Sequence, residues 1–358
     1  MTERAARLAA DTLALVEIAS ESRNETVIVD AIRSRLGSAP GLQLIDDTDT
    51  VLAALPDRRP GVPLVLLAGH LDTVPIAAAA PGVLDDETVR GRGAADMKGG
   101  LAVMLALATD GVRGTAVDVG YVFFGREEVA IAESALLPAF DRAPVLRGAA
   151  LAVILEPTGN ALEVGCTGNL QAVVRVRGRA AHSARPWHGD NAIHAAIEVL
   201  APIAGLPVRD VVVDGLVFRD VVSVTTIAGG VANNVVPSLV EAEVNMRYAP
   251  NHGPAEAEKR LRDLLGDPRA EVEIVSAAPP GRVCLDNPLV ERLRVAGDLE
   301  VRPKQGWTPV AEFGMSGIDA VNLGPGDPRY AHSDDEQVGA AALARTYDIV
   351  SAFLAEEA

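Results

Sequence analysis

"VPLVLLAGHLDTV", residues 62–74, is an apolar run of strand length that ends in a histidine and an aspartate. An apolar run too short for a helix, followed by polar residues, reads as a strand buried on both faces. The next segments of the chain fit that reading. "MKGGLAVMLALATDG" (97–111) has the continuous apolar character of a packed helix, with Gly111 as its stop. "TAVDVGYVFFG" (115–125) and "AALAVILEP" (149–157) read as further strands. Strands alternating with helices predict an α/β domain with a mainly parallel sheet covered on both faces. In such sheets ligands bind beyond the carboxyl ends of the strands.

The pattern changes near residue 170. "NLQAVVRVRGRAAHS" (169–183) alternates like a half-exposed strand, and "GDNAIHAAIEVLAPI" (189–203) is a helix capped by Asp190 or Asn191. "VVSVTTIAGG" (221–230) and "LVEAEVNMRYAP" (239–250) alternate again. "PAEAEKRLRDLLG" (254–266) is a helix with Pro254 in its first turn, and "AEVEIVSA" (270–277) is a last strand. The order β-α-β-β-α-β is the ferredoxin-like motif. The predicted organisation is an α+β domain, residues 171–285, inserted into an α/β domain made of residues 1–170 and 286–358.

A chain of 358 residues accommodates two such domains. Its net charge of −17 argues against nucleic acid or an anionic membrane surface as the main partner. Two cysteines, Cys166 and Cys284, make neither a disulfide framework nor a zinc-ribbon spacing. The start reads as an amphipathic helix without the apolar core of a signal peptide, and no apolar stretch is long enough to span a bilayer. A soluble, cytoplasmic protein is the expectation.

Acids and histidines cluster at the predicted strand ends. His70 and Asp72 follow the first strand, Asp96 precedes a helix, Glu127 and Glu128 close "YVFFGREE", Glu156 closes "VILEPT", and "YAHSDDE" brings His332. Each has an ordinary explanation alone: a hydrogen-bonded histidine, a solvated loop glutamate, a helix cap. Together, imidazoles and carboxylates repeated at the ends of parallel strands are the donor set of a catalytic zinc site. The adjacent glutamates suggest a division of labour. Neighbouring residues of an extended chain face opposite ways, so one can hold a metal while the other takes a proton from the attacking water. His188, His194 and His252 keep the ordinary explanation.

"GHLDTVP", "DMKGG", "EE", "EPT" and "GRAAHSARPWHGDNAIH" resemble the di-zinc aminoacylase and carboxypeptidase family, over essentially the whole chain. That resemblance implies two Zn²⁺ per subunit, with Co²⁺ able to substitute. It implies Asp96 as the bridge, His70 and Glu156 completing one site, and Glu128 and His332 the other. It implies Glu127 as general base and Asp72 as the residue that orients the His70 ring. It also implies a cis peptide after Asp96, and a homodimer formed through the inserted domain, with His182 stabilising the oxyanion across subunits. On the residues alone, His182 is equally an exposed histidine at a strand corner.

The family resemblance implies a small anionic N-acyl amino acid as substrate, and N-succinyl-LL-2,6-diaminopimelate of the lysine and cell-wall route in particular. Its carboxylates require local positive charge on an acidic protein. Arg185 and Arg247 are the candidate arginines, and Asn234, Thr308 and Gly314 the other candidate contacts. The chain departs from its relatives at Arg126, where many have a small or polar residue. "GCTGNL" also lacks an arginine that proteobacterial relatives carry nearby. Other N-acyl amino-acid deacylation, dipeptide hydrolysis and metal-free binding are the alternatives.

Overall fold

The structure, a computed structural model, describes residues 1–75, 81–112 and 116–355. Thr115, the first residue of one run read as strand, lies outside them. Two compact units are present. One comprises Met1–Gly165, Cys284–Arg302 and Thr308–Ala358; the other comprises Cys166–Val283 and Pro303–Trp307.

The first unit is built on an eight-stranded sheet. Its order is Leu42–Asp47, Val51–Pro56, Asp118–Phe124, Leu64–His70, Ala149–Ile154, Ala320–Asn322, Leu162–Cys166 and Val301–Lys304. The centre is parallel: Leu64–His70 pairs this way with both Asp118–Phe124 and Ala149–Ile154, which in turn pairs with Ala320–Asn322. Antiparallel strands flank it, including the hairpin of the first two. Every residue of Leu64–His70 and Asp118–Phe124 is buried. That is why these strands read as unbroken apolar runs. Helix Gly99–Thr109 packs on the sheet and is buried nearly all round. A Cβ at Gly100 would meet the carbonyl oxygen of Leu155 at 2.4 Å, so glycine there permits the close approach of helix and strand.

The second unit has five antiparallel strands in the order Arg209–Val213, Leu216–Gly229, Leu239–Tyr248, Gly168–Arg177 and Ala270–Ala278. Without the first, this is the ferredoxin-like arrangement. Helices Ala192–Ala204 and Pro254–Leu264 cover one face, burying Leu170, Val174, Val240 and Val244. Burial alternates along Gly168–Arg177 and Leu239–Tyr248, as the sequence pattern requires. Asn191 is the helix cap, its Oδ1 accepting from the Ile193 and His194 N–H groups. The added strand comes from a hairpin turned by Asp214 (φ 49°) and Gly215 (φ 82°), a pair suited to left-handed turn positions. The segment Pro303–Trp307, assigned from sequence to the larger domain, clusters with this unit. Gln305 O accepts from Thr167 Oγ1, and Trp307 Nε1 donates to Pro279 O.

No helix among the described residues is long and apolar enough to cross a membrane. Cys166 and Cys284 are both buried.

Candidate metal centre

The parallel strands of the first unit end in a cluster of acids and imidazoles. His70 is the last residue of its strand and is buried. Its Nδ1–H donates to the main-chain oxygen of Asp72 at 2.9 Å, which turns Nε2 toward the acids. Nε2 lies 2.9 Å from Asp96 Oδ1 and 3.6 Å from Glu156 Oε1. His332, in the left-handed region at φ 62°, places Nε2 2.8 Å from Glu128 Oε1 and 3.6 Å from Asp96 Oδ2.

Three overlapping groups have ligand atoms within 4.8 Å of one another: His70, Asp96 and Glu156; Asp96, Glu128 and His332; and His70, Glu127 and Glu128. Asp96, His70 and Glu128 each belong to two of them, and the two oxygens of Asp96 face different imidazoles, Oδ1 toward His70 and Oδ2 toward His332. The peptide from Asp96 to Met97 is cis, in agreement with the resemblance.

Asp72 meets the His70 ring through its main chain rather than its side chain. Its carboxylate is 3.7 Å from His70 Nδ1, and the ring is instead held by its carbonyl. The carboxylate accepts two successive backbone N–H groups, Glu127 on Oδ1 and Glu128 on Oδ2, each at 3.1 Å. Ser22 Oγ donates to Oδ2 at 2.7 Å. The extended-chain picture of the two glutamates also gives way. The strand ends at Phe124, and Arg126 at φ 62° turns the chain, so both side chains emerge from a loop fixed by Asp72. Both carboxylates then reach the same group with His70.

Glu336 is a further buried support. Its Oε1 accepts from Ala95 N at 3.2 Å and Asp96 N at 3.0 Å, while Oε2 pairs with Arg92 at 2.9 Å. Sequence reading found neither Glu336 nor Ser22. Glu336 has a signal in the acidic run after His332, whereas Ser22 lies 50 residues from Asp72 with no local cue.

The electrostatics follow from crowding. Burial pushes Glu127 well above the ordinary carboxylate range; His70 opposes this, and Glu128, Glu156 and Asp96 add to it. Burial works against a charge on His70, but the Asp96 hydrogen bond and the Glu156 and Asp96 carboxylates hold it well above its usual value. The hydrogen bond to Glu128 raises His332. Four acids brought this close favour bound cations, and imidazole nitrogens with carboxylate oxygens at these separations suit a divalent metal ion.

The other predicted residues divide between the units. In the second unit, His182 is exposed and pairs in register with Val235; Ser183 N donates to Asn234 O, and Arg185 N to His182 O. His182, Arg185 and Asn234 thus lie together. Arg247 stands on the strand Leu239–Tyr248 and its Nε donates to Asn245 Oδ1 at 3.0 Å. In the first unit, Thr308 is buried just before the short helix Val310–Met315, which contains Gly314.

Comparison with known proteins adds a family match, two relatives and two solved structures. Residues 66–356 match the model of peptidase family M20/M25/M40. The chain is 36% identical over 353 residues to succinyl-diaminopimelate desuccinylase of Corynebacterium glutamicum, covering 96% of this chain and 95% of that one. It is 39% identical over 344 residues, 96% of each chain, to a Mycobacterium tuberculosis protein provisionally named for the same activity. Among solved structures, aminopeptidase PepT of Bacillus cereus matches with a TM-score of 0.79 at 20% identity over 98% of each chain. A Bacillus subtilis protein described as a dinuclear metal-binding peptidase matches with a TM-score of 0.69 at 16% identity, over 98% of this chain and 97% of that one. These two share the fold.

Proposed function

The chain belongs to peptidase family M20/M25/M40 and is a metal-dependent amide hydrolase, and we propose that it removes succinate from N-succinyl-LL-2,6-diaminopimelate. The observation that carries the chemistry is the cluster of five ligand side chains with Glu127 beside them. The substrate reading rests on the identity to the two relatives over nearly the full chain.

In this reading His70, Asp96 and Glu156 would hold one Zn²⁺ ion and Asp96, Glu128 and His332 a second, and Co²⁺ could replace them. Bound there, the ions would polarise the amide carbonyl and acidify the attacking water. Glu127 accepts the proton of that water as its oxygen bonds to the carbonyl carbon. It then delivers the proton to the amine nitrogen as the C–N bond breaks. The Asp72 carboxylate fixes the main chain of Glu127 and Glu128, and its carbonyl fixes the His70 tautomer.

Arg185, Asn234, Arg247, Thr308 and Gly314 are the substrate contacts in this reading. The inserted domain forms a homodimer in which His182 serves the partner's site. The exposed apolar side chains Ile197, Val212, Ile227 and Leu239 of the second unit support an interface there. Mixing Glu127→Ala with His182→Ala chains tests the crossing: activity partly returns if His182 works in trans, and stays absent if it works in its own chain. We place the protein in the cytoplasm in this reading.

The substrate is tested by hydrolysis of N-succinyl-diaminopimelate, N-acetylornithine and a dipeptide panel by the zinc-loaded protein. The succinyl compound should give the highest kcat/KM. Faster turnover of acetylornithine or a dipeptide would overturn the substrate assignment and leave the hydrolase assignment standing.

A further inference from the structure

Arg126 stands one residue before Glu127, in the loop that Asp72 fixes from behind. It is half-buried, and its backbone lies at φ 62°. Its Nε is fully enclosed and has no acceptor. Two other arginines, Arg92 and Arg292, also enclose an Nε without an acceptor. Their terminal nitrogens, however, reach Glu336 and the Phe353 carbonyl. Arg126 makes no hydrogen bond or ion pair with any described residue. The nearby carboxylate that feels its charge, Glu133, is already held by Arg23 through two bonds of 2.8 Å.

This is unusual for the molecule. Other arginines of intermediate exposure, such as Arg33, Arg175 and Arg260, are each tied to a carboxylate. On a chain of net charge −17, a guanidinium with a fixed stem and no partner is a cation kept available. A guanidinium with free donors suits a carboxylate, which it can take with two parallel hydrogen bonds.

Arg126 immediately precedes Glu127, on the loop whose next two N–H groups Asp72 holds. A succinyl group carries its second carboxylate only two methylenes beyond the amide carbonyl.

We propose that Arg126 determines specificity for the acyl group by receiving the terminal carboxylate of an N-succinyl substrate. This rests on the amide-hydrolase reading above and extends it to the acyl side. Acyl chains ending in a carboxylate are preferred to chains of the same length ending in a methyl group.

The test compares N-succinyl and N-butyryl derivatives of the same amino acid, which differ at the chain end by carboxylate against methyl. Wild type should favour the succinyl compound in kcat/KM. In Arg126→Gln the ratio of the two kcat/KM values should fall by roughly 10–100-fold, the worth of a hydrogen-bonded charge. Arg126→Lys should fall between, since it keeps the charge but not the fork. Equal losses on both substrates would show that Arg126 only shapes the loop, and an unchanged ratio would show that another group reads the carboxylate. Either result overturns the proposal while leaving the desuccinylase reading intact. Absence of succinyl preference in wild type would overturn both, and is seen before any substitution is made.

Discussion

The two ends of the central strands handle buried carboxylates in opposite ways. At the amino end of Asp118–Phe124, Asp118 is buried at 4% exposure and neutralised by the protein itself. Arg58 Nη1 bonds it at 2.7 Å, Arg59 Nε at 2.6 Å, and the Arg59 main chain at 2.9 Å. Beyond the carboxyl ends, Asp96, Glu127, Glu128 and Glu156 crowd together and meet imidazoles. One end is complete as folded. The other has a surplus of negative charge that divalent cations match. Glu312 shows a third solution. It is 1% exposed, accepts a short hydrogen bond from Ser134, and burial pushes its pKa up to about 7. A proton there does the work that arginines do for Asp118.

The contrast breaks most visibly at the acid cluster. Glu127→Ala should keep its metal and lose about 10²–10⁴-fold in turnover, because the proton carrier is gone. Glu128→Ala should lower the metal content itself, as elemental analysis will read. Near-normal rates for Glu127→Ala at saturating substrate would remove the assignment of roles.

At the amino end the effect should be on stability alone. Asp118→Asn leaves two arginines around a neutral amide. Because those arginines are partly solvated, the loss should be about 2–3 kcal/mol, with metal content unchanged. Denaturant titration with and without chelator measures both. A fall in bound metal would mean that the ends are not independent.

Glu312 gives an effect with a sign. The unfolded chain ionises this carboxyl near its ordinary 4.5, while the folded protein keeps the proton until about 7. The native state therefore binds more protons in that window, and stability falls as pH rises through it. Below pH 4.5 wild type and Glu312→Gln should match. Above pH 7 the variant should be more stable, by at most about 3 kcal/mol. A difference that does not change with pH would mean that Glu312 is ionised throughout.

The smallest effect lies within the same strand. Tyr121 is 1% exposed and its hydroxyl has no hydrogen-bond partner. Tyr121→Phe should be neutral or stabilising by about 1 kcal/mol, since an unsatisfied buried hydroxyl is removed. A clear drop in Tm would reveal a bound water at that hydroxyl.

Strands buried on both faces were readable because the whole segment had to be apolar: Leu64–His70 and Asp118–Phe124 announce themselves. The acids came with them, since strand ends are where an apolar run stops. The directions of Glu127 and Glu128 were not readable. They depend on the left-handed backbone of Arg126 and on Asp72, and alternation along an extended chain does not apply there. The hairpin at Asp214-Gly215 carries a local signal that a search for apolar runs passes over. Ser22 is illegible for a different reason. Its value comes from a neighbouring segment, where Glu21 bridges Thr73, and nothing within the local window points to it.

The Asp72 carboxylate accepts from two main-chain N–H groups, so its hold survives side-chain changes at 127 and 128 other than proline, while the left-handed φ at 126 restricts that position. The loop is an interchangeable cassette clipped to a fixed socket. The side chains at 127 and 128 can be varied together, proline apart, while the clip stays in place. Such a library separates what the cassette's chemistry selects from what keeps the fold upright.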